Sequence, residues 1–195
     1  MSNPVKLKLS SVNRPYPGEQ GSGDLPFHYA KRDELVLGLV DSLGHGERAH
    51  ASSMLIKGFL DAHWGSELTQ LLDQLHARMR GGIGAAICLA HVALGSGALR
   101  CVGIGNVNAW ILGSGDQRFV NRDGVLGQYY RTPVAQEARL KPGDKLIFAS
   151  DGVQERLYTQ FDRAELARDP DSLAAYLLRH YGKVHDDASC LVFEF

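Results

Sequence analysis

The chain has 195 residues, 44% of them apolar, which is enough to bury one well-packed core, and a single domain over residues 1–195 is the expectation. Its 21 basic and 22 acidic residues nearly cancel, so the net charge of -1 argues against nucleic acid and against an anionic membrane surface as partners. Apolar runs fall far short of the roughly 20 residues that cross a bilayer, and no basic-then-apolar leader opens the sequence, so a soluble, cytoplasmic monomer is expected. Cys88, Cys101 and Cys190 are odd in number and lie in apolar, strand-like segments, which suits packed, reduced thiols.

In chain order, Val5 to Leu9 alternates apolar and charged residues as an edge strand would, and Pro15-Tyr16-Pro17-Gly18 followed by Gly21-Ser22-Gly23-Asp24 reads as a loop. The continuous run Leu35 to Val40 reads as a buried strand that stops at Asp41-Ser42-Leu43-Gly44-His45-Gly46. Two helical stripes follow, one of Ala51, Met54, Leu55, Phe59 and Ala62, the other of Leu68, Leu71, Leu72, Leu75 and Met79 with Ser66 as its N-cap. Strand patterns then run Ala85 to Leu94, Leu99 to Ile104, Ala109 to Leu112, Gln117 to Asn121, Val134 to Leu140 and Lys145 to Ala149, with glycine-rich breaks typical of hairpins. Asp169-Pro170 opens a helix with a stripe of Leu173, Ala174, Leu177, Leu178 and Tyr181, and a last strand covers Ala188 to Phe195. Helices grouped between blocks of antiparallel strands predict an α+β layered sandwich.

The chemistry is concentrated in aspartates beside apolar strands: Asp24, Asp41, Asp151 and the pair Asp186-Asp187. A carboxylate beside a buried strand is costly unless compensated. Any one of them alone is explained as a turn former or cap. Gathered at one rim of a sandwich, they would repel one another and favour a divalent cation. Oxygen ligands suit Mg²⁺ or Mn²⁺, and no compact His/Cys cluster invites zinc.

Gly21-Ser22-Gly23-Asp24, Val40-Asp41-Ser42-Leu43-Gly44-His45-Gly46, Gly82-Ile83-Gly84-Ala85-Ala86, Val102-Gly103-Ile104-Gly105-Asn106-Val107, Phe148-Ala149-Ser150-Asp151-Gly152-Val153 and His185-Asp186-Asp187-Ala188-Ser189 together follow the motif order of a known family. The chain resembles the PPM-type metal-dependent protein serine/threonine phosphatases, in particular the compact bacterial branch that includes SpoIIE and RsbX, with RsbX nearest in length. The resemblance implies a four-layer α-β-β-α sandwich of two antiparallel sheets, with two Mn²⁺ or Mg²⁺ ions at one edge. It assigns Asp41 to bridge the ions, the Ser42 carbonyl to bind one of them, Asp151 and Asp186 to complete the protein ligands, and Asp24 to act directly or through water. It further implies hydrolysis of phosphoserine and phosphothreonine without a phosphoenzyme, on a partner of stressosome type, either scaffold or antagonist. Position 42 departs from the usual glycine, Asp187 stands where many members have asparagine, and no arginine occupies an obvious phosphate-binding position; Arg14 reads as a loop residue.

Several features have competing readings. Gly103-Ile104-Gly105-Asn106 looks like half a dinucleotide fingerprint, but an apolar strand follows instead of a helix, and that reading is rejected. His45 is either a general acid beside the metal centre or a residue that shapes the turn. His50, His63 and His76 line no common helical face and read as surface residues. Asn106 and Asn108 read as turn formers. The segment Asp123 to Pro133, with Tyr129, Tyr130 and Arg131, reads as a connecting loop or a contact patch. Two other functions remain: an inactive phosphatase-like module that binds a signalling partner, and a carboxylate-metal hydrolase of small phosphoesters. Intact Asp41, Asp151 and Asp186 speak against the inactive module.

Overall fold

The structure is a computed structural model and describes residues 7–195. Of the expected opening strand, Val5 and Lys6 lie outside the described residues; the strand observed there, β1, spans Lys8–Arg14. The other strands are β2 (Asp24–Lys31), β3 (Glu34–Ser42), β4 (Ala85–Ala93), β5 (Ala98–Ile104), β6 (Asn108–Leu112), β7 (Gln117–Phe119), β8 (Gly124–Val125), β9 (Tyr129–Tyr130), β10 (Gln136–Arg139), β11 (Lys145–Ala149) and β12 (Ala188–Glu194). The helices are α1 (Gly46–His63), α2 (Leu68–Arg78), α3 (Arg156–Gln160) and α4 (Pro170–Tyr181), with a 3-10 turn at Arg163–Ala167.

Strand periodicity builds the layers. One antiparallel sheet has the order β10-β5-β4-β3-β2 and the other β1-β12-β11-β6-β7, while β8 and β9 form a separate small hairpin. On β3, Leu35, Leu37 and Leu39 join Leu146, Phe148, Leu191 and Phe193 of the facing sheet in a core between the sheets. Val36 and Val40, on the opposite face of β3, pack with Ile56 and Leu60 of α1 and Leu71, Leu72 and Leu75 of α2. On the far side, Trp110, Ile147 and Val192 pack with Leu157 of α3 and Leu173 and Leu177 of α4. The result is the expected α-β-β-α sandwich. All three cysteines are buried and unpaired, and Cys88 and Cys101 place their sulfurs 3.6 Å apart in the inter-sheet core. Among the described residues, no helix is long and apolar enough to cross a membrane.

The structure corrects several sequence readings. Residues 24–31 form a strand that the sequence pattern hides, because β2 is a sheet edge: it carries Pro26, which an edge tolerates, and buries few of its side chains. Helix α1 turns a different face inward from the one its apolar stripe suggests. Ala49, Ser52, Ser53, Ile56 and Leu60 are buried, whereas Leu55 is 62% exposed and Met54 is also exposed. The reason is polar: the Ser53 hydroxyl donates to the Gly23 carbonyl and lies 2.8 Å from the Ser42 hydroxyl, so the helix is docked by hydrogen bonds to the strand ends as well as by apolar contact. Helix α2 buries its expected leucines, but its N-cap is Glu67, whose carboxylate accepts the N–H groups of Thr69 at 2.9 Å and Gln70 at 3.1 Å. His76 is buried, not a surface residue: Nδ1 accepts the Gly127 N–H at 3.2 Å and the ring packs 4.4 Å from that of Tyr130. Asp169 caps α4 through the Ser172 N–H at 3.0 Å, with Pro170 in the first turn.

The two faces of α1 give a direct test. Ile56→Ala removes a fully buried side chain and should cost about 2–5 kcal/mol, whereas Leu55→Ala should stay within about 0.5 kcal/mol. Urea denaturation of both variants measures the difference, and a larger loss at Leu55 would contradict the orientation of the helix.

Candidate metal centre

The same alternation that builds the core delivers the aspartates. Asp41 shares the parity of Leu35, Leu37 and Leu39, so it stands on the inter-sheet face of β3 at the end of the strand. Its register partner on β2 is Asp24, which therefore occupies the same face and is buried. From the other sheet, Asp151 follows β11 and Asp186-Asp187 precede β12, the strand paired with β11. Within that sheet the ends of β11 and β12 are tied where Ser150 donates its N–H to the Ser189 carbonyl at 3.1 Å and accepts the Ser189 N–H on its hydroxyl at 3.0 Å, and the rim is joined to the Asp24 side where Gly23 donates its N–H to Asp187 at 2.8 Å.

These carboxylates act on one another. Burial pushes the Asp24 carboxyl up to about 7, with Asp187 and Asp151 adding to the rise and the Ser150 and Ser189 hydroxyls opposing it. Asp41 is held well above the usual carboxylate range, first by burial and then by the charges of Asp24, Asp151, Asp186 and Asp187. Asp186 is raised by burial and by Asp151, against a smaller opposing effect of Lys183. Two atoms here are left without a hydrogen-bond partner although buried, Asp24 Oδ2 and Ser189 Oγ. A buried acceptor left in that state, among acids that disfavour each other's ionisation, fits a hard divalent cation, and the donor set is all oxygen. Among the described residues, no three acidic, histidine or cysteine side chains already close around one point, so the set is a gathered group of donors and not a finished shell.

The surroundings divide the expected residues by role. Ser42 is fully buried and its hydroxyl is turned toward Ser53 of α1, while its N–H donates to the Gly23 carbonyl at 3.1 Å. A Cβ at Gly23 would stand 2.9 Å from the Ser42 carbonyl oxygen and 2.9 Å from Ala49 Cβ, so only glycine lets the strand ends bearing Asp24 and Asp41 come this close. Asp187 is buried and committed to the main chain, accepting the N–H groups of Tyr16 at 2.6 Å and Gly23 at 2.8 Å; it clamps the residue 15–23 loop to the start of β12. His45 sits at the N-terminus of α1 with Nδ1 3.3 Å from Glu19 Oε1 and its ring stacked 4.2 Å from that of Tyr16.

Asn106 does more than form a turn: its amide donates to Asp151 Oδ2 at 2.6 Å. Asn108, nearly buried, accepts from Arg118 at 3.0 Å. Arg14 is not a loop residue; it ends β1 opposite Ala188 and donates to the Lys183 carbonyl. In the 123–133 segment the side chains separate. Tyr129 is exposed, whereas Tyr130 is half-buried with its hydroxyl on Asp73 of α2.

A family model described as Stage II sporulation protein E (SpoIIE) matches residues 31–195, spanning every proposed ligand position except Asp24. The chain belongs to the SpoIIE family of PPM-type phosphatases. Solved structures agree on the fold. RsbX in complex with magnesium superposes with a TM-score of 0.84 at 18% identity, covering 99% of this chain and 97% of that one. The PP2C phosphatase domain of Bacillus subtilis SpoIIE, with a fragment of its regulatory domain, gives 0.77 at 17% identity over 100% of this chain and 64% of that one. A chain described under the bacterial stressosome, a modular system adapted to control secondary messenger signalling, gives 0.89 at 24% identity over 97% and 100%. No curated protein sequence matches the chain significantly.

The carboxyl shifts set a pH dependence for the metal-free protein. Asp24 holds its proton to about pH 7 when folded and, from its ordinary value of 3.8, only to about pH 4 when unfolded, so the folded state binds more protons between the two. Stability is therefore greatest below about pH 4 as far as this group is concerned and falls as pH rises to about 7, with Asp41 acting in the same direction. Thermal melts in EDTA should show a lower Tm at pH 8 than at pH 5 from this source, and Asp24→Asn should narrow the gap. An unchanged gap in that variant would contradict the assignment.

Proposed function

We propose that the chain is a Mn²⁺- or Mg²⁺-dependent phosphatase that removes phosphate from serine or threonine on a partner protein of a bacterial stress-signalling assembly, acting in the cytoplasm. The observation that carries this is the set of carboxylates at the joined rim, with Asp24 Oδ2 orphaned and Asp41 surrounded by other acids. Family membership supports the reaction class, and the likeness to RsbX and to a stressosome chain supports the signalling setting.

In this reading Asp41, the Ser42 carbonyl, Asp151 and Asp186 would hold the metal, with Asp24 contributing directly or through water. A bound metal pair would lower the pKa of a shared water and balance charge on the phosphoryl oxygens. The chain's own residues supply the rest. Asn106 fixes the orientation of Asp151, and Asp187 holds the loop that leads into Asp24. The pairing of His45 with Glu19 and Tyr16 favours a role in shaping the mouth of the site over proton donation.

Asp41→Asn should reduce Mn²⁺-dependent hydrolysis of p-nitrophenyl phosphate at least about a hundredfold while circular dichroism shows an intact fold. Activity within a fewfold of wild type would remove Asp41 from the centre. Asn106→Ala, by releasing Asp151, should raise the Mn²⁺ concentration for half-maximal activity about tenfold to a hundredfold; an unchanged titration would reduce Asn106 to a turn residue.

A further inference from the structure

A cleft of about 870 Å³ opens beside the candidate centre, with Leu43, Asn106, Arg118, Val120, Tyr129 and Glu155 in its lining. It adjoins the site through Asn106, which lines the cleft and donates to Asp151. Of the seven large apolar side chains left exposed among the described residues, three lie in this lining: Leu43 at 45%, Val120 at 71% and Tyr129 at 67% exposure. Scattered singly, such residues need no explanation; gathered around one concavity next to a reactive centre, they do.

The cleft is also held in shape. Tyr130, next to Tyr129, is anchored by its hydroxyl on Asp73 and by packing on buried His76, so Tyr129 projects from a fixed base. The Gln136 side chain brackets the main chain of Val120, accepting its N–H at 3.1 Å and donating to its carbonyl at 2.8 Å. Those are the groups an added strand would need, so recognition here falls to side chains and not to strand addition. The cation in the wall, Arg118, already has Asn108 as a hydrogen-bond partner and Glu155 at 3.5 Å, and Asp123 adds a further negative charge to the lining. The lining therefore offers apolar contact and little net attraction for an acidic segment.

We infer that this cleft takes the segment of the phosphoprotein that flanks the phosphorylated serine or threonine, and that it selects segments with apolar side chains beside that residue. The inference rests on the phosphatase reading for the identity of its occupant. Leu43, Val120 and Tyr129 contact the flanking side chains, and the phosphoryl group extends past Asn106 to the aspartates.

Two fluorescein-labelled peptides carrying a non-hydrolysable phosphonate in place of phosphoserine, one with leucine and valine and one with glycine and serine around it, test this by fluorescence polarisation with Mn²⁺ present. The apolar-flanked peptide should bind at least about tenfold more tightly. In the double variant Val120→Ser, Tyr129→Ser, checked for fold by circular dichroism, the ratio should collapse to within about threefold. Equal binding of the two peptides by the wild-type protein, or a ratio that survives in the double variant, would overturn the inference. So would preferential binding of a third peptide flanked by aspartates. Turnover of the corresponding phosphoserine peptides is read separately: a binding preference without Mn²⁺-dependent phosphate release would uphold the cleft and overturn the phosphatase reading.

Discussion

Asp24 and Asp41 face each other across a pair of β-strands at the open end of the inter-sheet core, and Asp151 and Asp186 add their charges from the facing sheet. For the polypeptide alone this is an unfavourable arrangement: burial and mutual repulsion both disfavour ionisation, and the serine hydroxyls around Asp24 leave one of its oxygens without a partner. The fold holds these groups together against their repulsion because two sheets and two pairs of helices fix the strand ends independently of the charges. In the proposed reading, a divalent cation would turn the same cluster from a source of instability into a source of binding energy. On that reading the protein would give up stability of the metal-free state here for function.

Close approach of the strand ends depends on small and polar residues that carry no metal chemistry. Gly23 is required by contact with the Ser42 carbonyl and Ala49, and Ser53 of α1 reaches both Gly23 and Ser42. The serine found at position 42 is accommodated because its side chain points to the helix and hydrogen-bonds there. Asp187 resembles its neighbour Asp186 in sequence but has a different task, since both of its oxygens are taken by main-chain N–H groups. Asn106 connects the carboxylate at one side of the centre with the cleft beside it. The helices, loops and rim therefore converge on the positions of a few carboxylate oxygens.

Much of this was legible in the sequence for a physical reason. An aspartate that ends a run such as Leu35 to Val40 breaks the apolar pattern at a place where breaking it is costly, so Asp41 and Asp151 stand out. The two sheets were visible as strand-length patterns separated by glycine-rich turns. The inward face of α1 was not legible, because two stripes overlap on one helix and the buried one contains serines whose partners come from distant strands. Strand β2 was hidden because an edge strand has no need of regular burial. The separate roles of Asp186 and Asp187, and of Tyr129 and Tyr130, depend on which way adjacent side chains face, and composition does not encode that.

Calorimetric titration of the metal-free protein with Mn²⁺ near pH 6.5, repeated in buffers of different ionisation enthalpy, measures metal affinity and proton release together. If the raised acids are the ligands, Mn²⁺ should bind and expel protons, since Asp24, pushed up to about 7, is largely protonated in the metal-free state at that pH, and burial and neighbouring charges shift Asp41 in the same direction. Binding without proton release, or no binding at about millimolar Mn²⁺, would contradict the account.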